Sequence, residues 1–287
     1  MSEEQARNLL AEAGKLAKPG MLGFGGRKYD EAADVCKKAA NIYKMLKKGS
    51  EAGDAFVKAA DFYLLCGSKH EAATCYIDAA NCHRKTSAAG AVQCLSKAVA
   101  FYAEEGRWSM AARQQKEIAE IYEKELDLDN AIEAYQKAAD FYEGENSVQS
   151  ANQCLLQVGL FSAQKEKYER AIKIFDQLAT TCLDNNLTKW NFRDHALRAT
   201  LCHLCNTDIV AANRALEKYS GLEPAFATSR ECKMLDSIIK AVEGHDAESF
   251  TNSVADYDSA NKLDAWKSSI LLRIKNSIKG GEEAQLT

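Results

Sequence analysis

Cysteine and histidine are the side chains of this sequence best suited to metal binding or nucleophilic chemistry. Cys202-His203-Leu204-Cys205 has two cysteines at a spacing found in zinc sites, but no second pair of ligands follows at the usual distance. The stretch has a helical pattern, in which residues three apart pack on one face. The five histidines form no acid–base or nucleophile constellation. We therefore expect no catalytic residue, no metal site, no cofactor and no enzymatic activity.

The cysteines do not indicate a disulfide framework either. The chain has ten of them in 287 residues, spaced singly, whereas a disulfide-stapled secreted domain is shorter and richer in turns. Most lie on apolar helical faces, where reduced cysteine packs as a small hydrophobic side chain. The N-terminal segment is charged and amphipathic, unlike a secretory signal, and no run of about 20 apolar residues occurs. These features predict a cytoplasmic protein.

Composition favours helices throughout. Only two prolines and sixteen glycines occur, too few for a turn-rich β fold, while Ala, Glu, Lys and Leu are abundant. The net charge of −4 is mild and excludes neither an acidic nor a basic partner. The distribution of charge therefore matters more than its sum.

An alanine recurs about every 20 residues through much of the chain. Eight positions after each of these alanines comes a second small residue, with Val99 as the exception, and five of the units add a tyrosine three positions later. These offsets lie on one helical face, where small residues let neighbouring helices approach closely. The repeated alanines, spaced 20 residues apart except for one step of 19, are Ala32, Ala52, Ala72, Ala91, Ala111, Ala131, Ala151 and Ala171.

Twenty residues suit a helix of about four turns and a short joint, and helices on short joints run antiparallel. The pattern predicts an all-α fold, a tetratricopeptide-like right-handed solenoid of helical hairpins. Ser68 and Glu71 are predicted to form a capping box. The repeat is lost after Asn186, so we predict a repeat domain over residues 1–186 and a helical bundle with an acidic tail over residues 187–287. Helical patterns in the second part cover Asp194–Asn206, Ile209–Tyr219, Ser229–Glu243 and Asp264–Ile278.

Several longer motifs resemble those of one family, the soluble NSF attachment proteins of the alpha type. The similarity extends in order over essentially the whole chain, and segments this long are more specific than short patterns. The motifs are SKHEAATCYIDAANC (68–82), IAEIYEKEL (118–126), LCHLC (201–205), PAF and SRECK (224–233), YDSANKLDAWKSSILLRIK (257–275) and the penultimate Leu286.

The resemblance implies an adaptor without enzymatic activity. Such an adaptor binds assembled four-helix SNARE bundles of the syntaxin type, with several copies on each bundle, and recruits the hexameric AAA ATPase NSF. NSF then disassembles the bundle after membrane fusion in vesicle-mediated and intracellular protein transport, including transport between the ER and the Golgi. The implied location is cytoplasmic and peripherally membrane-associated, and nucleic acid is not an expected partner.

The resemblance also implies a basic SNARE-facing surface, because a SNARE bundle is a rod with an acidic exterior. Spaced cations would attract and orient such a rod by electrostatic complementarity. Gln153 and Gln157 occupy positions where the family usually has lysines, which removes two charges from the surface. Each basic residue could instead be an ordinary solvated charge. The expected SNARE-binding residues are Lys47, Arg84, Lys85, Arg107, Arg113, Arg193 and Arg230.

Two other sites follow from the resemblance. Met21, Leu22 and Phe24 lie in a glycine-rich segment flanked by lysine and arginine, and are expected to contact an anionic membrane, unless they pack on the first hairpin. An acidic NSF-binding site is also expected, although Lys240 and Gly244 replace usual acidic residues and the tail could instead be a frayed end. Its expected residues are Asp208, Glu243, Glu282, Glu283 and Leu286.

A tetratricopeptide co-chaperone that binds an acidic peptide tail remains an alternative, since it shares the fold and a basic groove. The two functions differ in their partner, which would be a chaperone tail in one case and a SNARE bundle in the other. A cysteine- or metal-dependent enzyme is the least favoured class, because no complete site is recognisable.

Overall fold

The computed structural model of the protein describes residues 2–18 and 28–285, with side chains up to Ile278. Met21, Leu22, Phe24 and Leu286 therefore lie outside the described residues. Two compact units are present, Met1–Cys154 and Leu155–Thr287. The described residues form helices and joints with no strand, and none of these helices is both long and apolar enough to cross a bilayer.

The first unit is a row of helices, each packed against the next. The interior helices are 15 to 17 residues long and their joints are short, so that consecutive helices run antiparallel, as the 20-residue repeat predicts. The helices are α1 (Glu3–Leu16), α2 (Tyr29–Met45), α3 (Gly49–Leu65), α4 (Lys69–His83), α5 (Ala88–Glu104), α6 (Trp108–Lys124) and α7 (Leu128–Gly144), followed by α8 (Val148–Gln164), which continues into the second unit.

The second unit begins with the rest of α8 and has more variable helices. A 3-10 turn at Lys189–Asn191 separates α9 from α10. The helices are α9 (Tyr168–Leu183), α10 (Phe192–Cys205), α11 (Ile209–Leu222), α12 (Pro224–Ala227), α13 (Arg230–Glu243), α14 (Ala247–Ala260) and α15 (Ala265–Gln285).

Small residues at the repeated positions form the core of the helix stack. All eight repeated alanines are buried, and so are the residues eight positions later, including Val99. The close approach this permits is clearest at Gly159 in α8, where a Cβ atom would lie 2.8 Å from the Phe175 ring of α9. The repeated tyrosine Tyr63 donates a hydrogen bond from its hydroxyl to Asp34 at 2.7 Å. The predicted role of the small residues is therefore confirmed.

Most joints contain one residue in the left-handed backbone region. Glycine occupies this position at Gly67 and Gly106, but Lys47 (φ 59°), Leu126 (φ 61°) and Asn146 (φ 54°) adopt it in other joints. Left-handed backbone is costly for most residues other than glycine and asparagine. The repeating joint geometry therefore overrides the local preference of Lys47 and Leu126.

Three expectations about the helices were wrong. Ser68 does cap α4, but its side chain makes no capping hydrogen bond, so no capping box forms with Glu71. Helix α14 was not predicted, because its sequence is rich in Ser, Thr, Asn and Asp and it buries only Phe250 and Tyr257. Helix α15 does not end at Ile278 but continues to Gln285.

The units of the structure divide inside α8, whereas the sequence placed the domain boundary after Asn186. That boundary rested on the loss of the 20-residue repeat, which coincides with the change from α9 to the 3-10 turn at Lys189–Asn191. A functional division at residue 186 stays a prediction.

Candidate protein-binding site

The expected basic residues of the first unit are distributed along helices rather than gathered in one cluster. Lys47, Arg84 and Lys85 lie in the α2–α3 and α4–α5 joints, at the same end of the antiparallel row. Arg107 lies at the opposite end, where its Nη1 atom is 2.9 Å from Nδ1 of His70 at the start of α4. Because α4 has 15 residues, the two ends are about 22 Å apart. The cations therefore extend across the width of the unit.

Their ion pairs separate these cations into two groups. Arg84 donates to Glu117 of α6 at 2.5 Å, and Arg107 contacts Glu105 at 3.4 Å, so both have a carboxylate partner within the chain. The exposed residues Lys47, Lys85 and Arg113 have no carboxylate partner among the described residues. These three cations are the most available to an acidic partner. Gln153 is exposed and Gln157 is half-buried.

Arg193 lies on the second unit beside the exposed side chain of Trp190, whose indole N–H donates to the Leu187 carbonyl. Leu187 and Trp190 are 82% and 75% exposed, and a hollow of about 440 Å³ is lined by Trp190, Arg193 and the ion pair between Lys189 and Glu223. The hydrogen bond from Lys189 and that from the Ala225 backbone N–H lower the pKa of Glu223. This hollow combines an apolar surface with an exposed cation, which suits contact with an amphipathic helix.

An aromatic cluster holds this segment in place. The fully buried ring of Phe192, the first residue of α10, makes edge-on contacts with Tyr219 at 5.9 Å and Phe226 at 5.8 Å between centroids. Tyr219 and Phe226 contact each other at 6.4 Å, and the Tyr219 hydroxyl donates to Asp176 at 3.0 Å. The cluster therefore fixes the start of α10, where Arg193 is exposed.

Arg230 lies at the first position of α13, in a groove between α13 and α14 of about 320 Å³. The exposed Lys233 and the aliphatic side chain of Met234 line the same groove, with Asp256 opposite. Neither cation has an ion-pair partner among the residues that the structure describes. Arg193 and the Arg230–Lys233 pair are thus two separate exposed basic positions on the second unit.

The expected acidic residues lie at helix ends. The Asp208 carboxylate accepts a hydrogen bond from the Ala211 backbone N–H at 2.8 Å and so caps α11. Glu243 is exposed at the last position of α13. Glu282 and Glu283 lie within the backbone of α15, beyond the part whose side chains are described. Asp208 thus has a structural role besides any role in binding.

Helix α15, which includes Glu282 and Glu283, is held by a set of four charged side chains that we call the C-terminal clasp. Arg198 donates to Asp194 at 2.7 Å and to Asp264 at 3.1 Å, while Lys267 contacts Asp194 at 2.5 Å. Burial raises the pKa of Asp194, but the Arg198 charge and the Lys267 hydrogen bond outweigh it, so the pKa is below its ordinary value. The clasp joins α10 to the start of α15.

Two further residues of α15 cap the C-terminal end of α8. The indole Nε1 of Trp266 donates to the Leu160 carbonyl at 3.0 Å, and Arg273 donates to the carbonyls of Ala163 and Gln164 at 3.0 and 2.9 Å. Carbonyls at a helix C-terminus carry partial negative charge, so a guanidinium suits the Gln164 carbonyl and also the Ala163 carbonyl, which accepts from the Glu166 backbone N–H as well. These contacts and the clasp fix the direction of α15.

The side chains of Cys154, Cys202 and Cys205 are poorly suited to chemistry at neutral pH. Burial raises the pKa of the Cys154 and Cys205 thiols to about 11, and raises that of the fully buried Cys202 still more. The thiolate is the reactive form, so these groups stay protonated. Among the described residues, no group of three or more potential metal-binding side chains comes together.

These features define a class: a helical repeat protein whose candidate sites are spread over exposed surfaces. The model of the family "Soluble NSF attachment protein, SNAP" matches residues 4–279. The chain belongs to this family. It is 51% identical to the alpha-soluble NSF attachment protein of Dictyostelium discoideum over 286 residues, 98% of each chain. It is 43% identical to that of Mus musculus, covering 98% of this chain and 97% of the relative.

Two further proteins are similar to this chain, one in sequence and one in fold. A probable vesicular-fusion protein sec17 homolog of Schizosaccharomyces pombe is 37% identical over 96% of each chain. A signal transduction ATPase with a tetratricopeptide repeat sensor, from Pyrococcus horikoshii, has a TM-score of 0.50 at 14% identity, covering 96% of this chain and 42% of that chain. The latter likeness concerns the fold alone, and it supports the tetratricopeptide-like architecture that the sequence predicts.

The exposed pair Leu187 and Trp190 was not singled out from the sequence. A signal was present, since both lie among polar residues between the predicted helices, where a core position is not expected. Their exposure depends on the 3-10 turn at Lys189–Asn191, which the helical pattern did not indicate.

Proposed function

We propose that this chain is an adaptor that binds assembled SNARE bundles and brings NSF to them, so that NSF disassembles the bundles in vesicle fusion. The observation that carries the proposal is membership of the soluble NSF attachment protein family over residues 4–279. Vesicular-fusion proteins among the relatives support the same process. Hydrolysis of ATP belongs to NSF in this proposal, and the chain itself catalyses no reaction.

The SNARE bundle is proposed to lie against the exposed cations. Lys47, Lys85 and Arg113 contribute most on the first unit, because they have no carboxylate to compete with the partner. Arg84 and Arg107 must share their charge with Glu117 and Glu105. Charges of this kind orient an acidic rod and accelerate association without a deep pocket.

Arg193 and Arg230 are the proposed contacts of the second unit. Beside Arg193, the exposed side chains of Leu187 and Trp190 would be buried against apolar groups on the bundle, adding an interaction that salt does not screen. Tryptophan is enriched among the residues that dominate binding energy at interfaces. The proposed SNARE contact is therefore electrostatic on the first unit and mixed on the second.

NSF is proposed to contact the acidic positions Asp208, Glu243, Glu282 and Glu283, together with Leu286. Glu243 is fully available at the end of α13, whereas Asp208 also caps α11. Because α15 is fixed by the clasp and by its contacts with α8, its backbone from Ile278 to Gln285 has a set direction. NSF would then meet a preorganised surface.

The chain is also proposed to contact a membrane and to bind each SNARE bundle in several copies. Met21, Leu22 and Phe24 would insert partially into an anionic bilayer surface, which gives weak binding for one copy. Several copies on one SNARE bundle would bind the membrane more strongly through effective concentration. The protein would thus be cytoplasmic and peripherally associated with membranes.

Disassembly of a purified, fluorescently labelled SNARE complex tests the function directly. NSF and ATP should separate the complex only when this chain is added, and omission of ATP should leave a stable assembly of all three components. No disassembly with the chain present would contradict the proposal. Capture of an acidic chaperone tail, without capture of the SNARE complex, would instead identify a co-chaperone.

A further inference from the structure

An apolar groove lies between α14 and α15 in the second unit. Phe250 and Val254 of α14 form one wall, Leu271 and Leu272 of α15 form the other, and Leu263 lies in the joint between the helices. The groove measures about 230 Å³, less than the roughly 300–1,000 Å³ of small-molecule sites. Its size suits one or two apolar side chains of a protein partner.

Leu272 is the feature that distinguishes this groove from an ordinary surface depression. It is 58% exposed in the middle of a helix whose neighbouring residues Leu271 and Ile274 are buried. The half-buried Lys275 also lines the groove, where its aliphatic stem extends the apolar surface. A partner that covers both the Leu272 side chain and the open apolar groove would remove apolar surface from water, and this burial would stabilise the complex.

The surroundings of the groove are acidic at one end. Phe250 and Thr251 lie in the first half of α14. Near this end are the exposed Glu243 at the end of α13, the capping Asp246 in the joint and the exposed Glu248 in the first turn of α14. These side chains lie at the open end of the α14–α15 pair, since the joint at residues 261–264 closes the other end. The α15 backbone continues past the groove through Glu282 and Glu283. An apolar groove is thus flanked by exposed carboxylates at the end of α13 and the start of α14.

We infer that this groove is an apolar subsite for NSF, and that it receives a hydrophobic side chain from a basic surface of that partner. The inference rests on the proposed function, which places NSF at Glu243 and the α15 end. Acidic flanks would attract the basic surface, and the groove would bury the hydrophobic side chain at its centre. Charged rims around an apolar centre are the usual anatomy of a protein interface.

The acidic flanks disfavour two other occupants. An anionic membrane surface would be repelled by Glu243 and Glu248. A second copy docked symmetrically would bring a second set of the same carboxylates into the interface, because a two-fold interface pairs identical patches. A basic partner satisfies both the charge and the apolar surface.

The test measures NSF binding to a SNARE complex already saturated with the full-length chain, with ATP hydrolysis blocked. Leu272→Ser should weaken NSF binding about tenfold, since about one apolar side chain loses its burial. Thr251→Trp, which fills the groove from the opposite wall without removing an apolar residue, should have a similar effect. Leu222→Ser is the matched control, because Leu222 is 44% exposed on α11 and does not line the groove.

The salt dependence of NSF binding distinguishes the contribution of the apolar groove from that of the acidic residues beside it. The effect of Leu272→Ser should be equal at low and high salt, whereas the effect of Glu243→Gln should shrink as salt rises. Unchanged NSF binding in both groove variants would overturn the assignment while leaving the proposed function intact. A loss of SNARE binding, of self-association or of vesicle binding would also overturn it, by identifying another occupant. An unmodified chain that fails to join NSF to the SNARE complex would overturn the proposed function itself.

Discussion

Replacing Phe192 should destabilise the second unit by an amount that its ring contacts determine. Phe192 is fully buried and makes edge-on contacts with Tyr219 and Phe226. Each aromatic pair contributes about 0.5–1.5 kcal/mol beyond burial, so Phe192→Leu should cost about 1–3 kcal/mol although it keeps most of the volume. Phe192→Ala should cost about 3–5 kcal/mol, because it also leaves a cavity.

The free energy of unfolding can be measured by urea titration followed by tryptophan fluorescence. In a Trp108→Phe background, only Trp190 and Trp266 report, and both belong to the second unit. Tyr219→Phe is a matched control that keeps the rings but loses the hydrogen bond to Asp176, which should cost about 0.5–1.5 kcal/mol.

The free-energy cost of Phe192→Leu decides the outcome. If Phe192→Leu costs less than about 0.5 kcal/mol, ring geometry does not stabilise the cluster and the reasoning is refuted. Phe192→Leu should also weaken SNARE binding, because Arg193 and Trp190 flank the residue. Normal SNARE binding by a destabilised Phe192 variant would show that the start of α10 does not position the contact.

Reversing Lys85 and Arg113 to Glu should reduce SNARE binding at least tenfold at low salt and much less at high salt, with unchanged circular dichroism; equal binding at low salt would contradict the basic surface. Leu286→Ala should bind SNARE complex normally but lose stimulation of NSF, measured as ATP hydrolysis; normal stimulation would indicate a frayed tail. Burial lowers the pKa of His195 to about 4, so stability should be full above about pH 6.5 and fall by at most about 2 kcal/mol by pH 5. The His195→Gln variant should not show this loss in the free energy of unfolding when urea titrations at about pH 6.5 and pH 5 are compared. Arg273→Ala should destabilise the second unit by about 1–3 kcal/mol in the same titrations, because carbonyls of α8 lose a charged donor; no change would show that water replaces it.

The repeat was predictable because its signal is local. A small residue every 20 positions reports how closely helices pack, and the buried positions of Ala32 and its counterparts follow from that spacing. Helix α14 gave no such signal, since it buries only Phe250 and Tyr257 and presents a polar sequence. Packing between neighbouring helices determines α14, and a single-sequence pattern does not contain that information.

The sequence predicted which types of residue form the candidate site, but it did not predict which of them pair with each other in the folded chain. The exposure of Arg113 follows from its position on a polar helical face. The pairing of Arg84 with Glu117 joins residues 33 positions apart, so only the folded chain shows that this cation is shared. The same holds for Lys267, whose contact with Asp194 has no counterpart in local sequence.

The attachment of α15 to the end of α8 has a consequence for synthesis of the chain. The carbonyls of Leu160, Ala163 and Gln164 accept side-chain hydrogen bonds from Trp266 and Arg273, which are encoded more than 100 residues later. A nascent chain on the ribosome can form the first unit early, because its contacts are between successive helices. The second unit stays incomplete until residues 264–273 have emerged, and until then its apolar surface is exposed to chaperones and to aggregation. Loss of α15 by premature termination would therefore leave the second unit without its contacts to α8 and α10. Such a truncation would affect the folding of the second unit as well as the proposed binding of NSF.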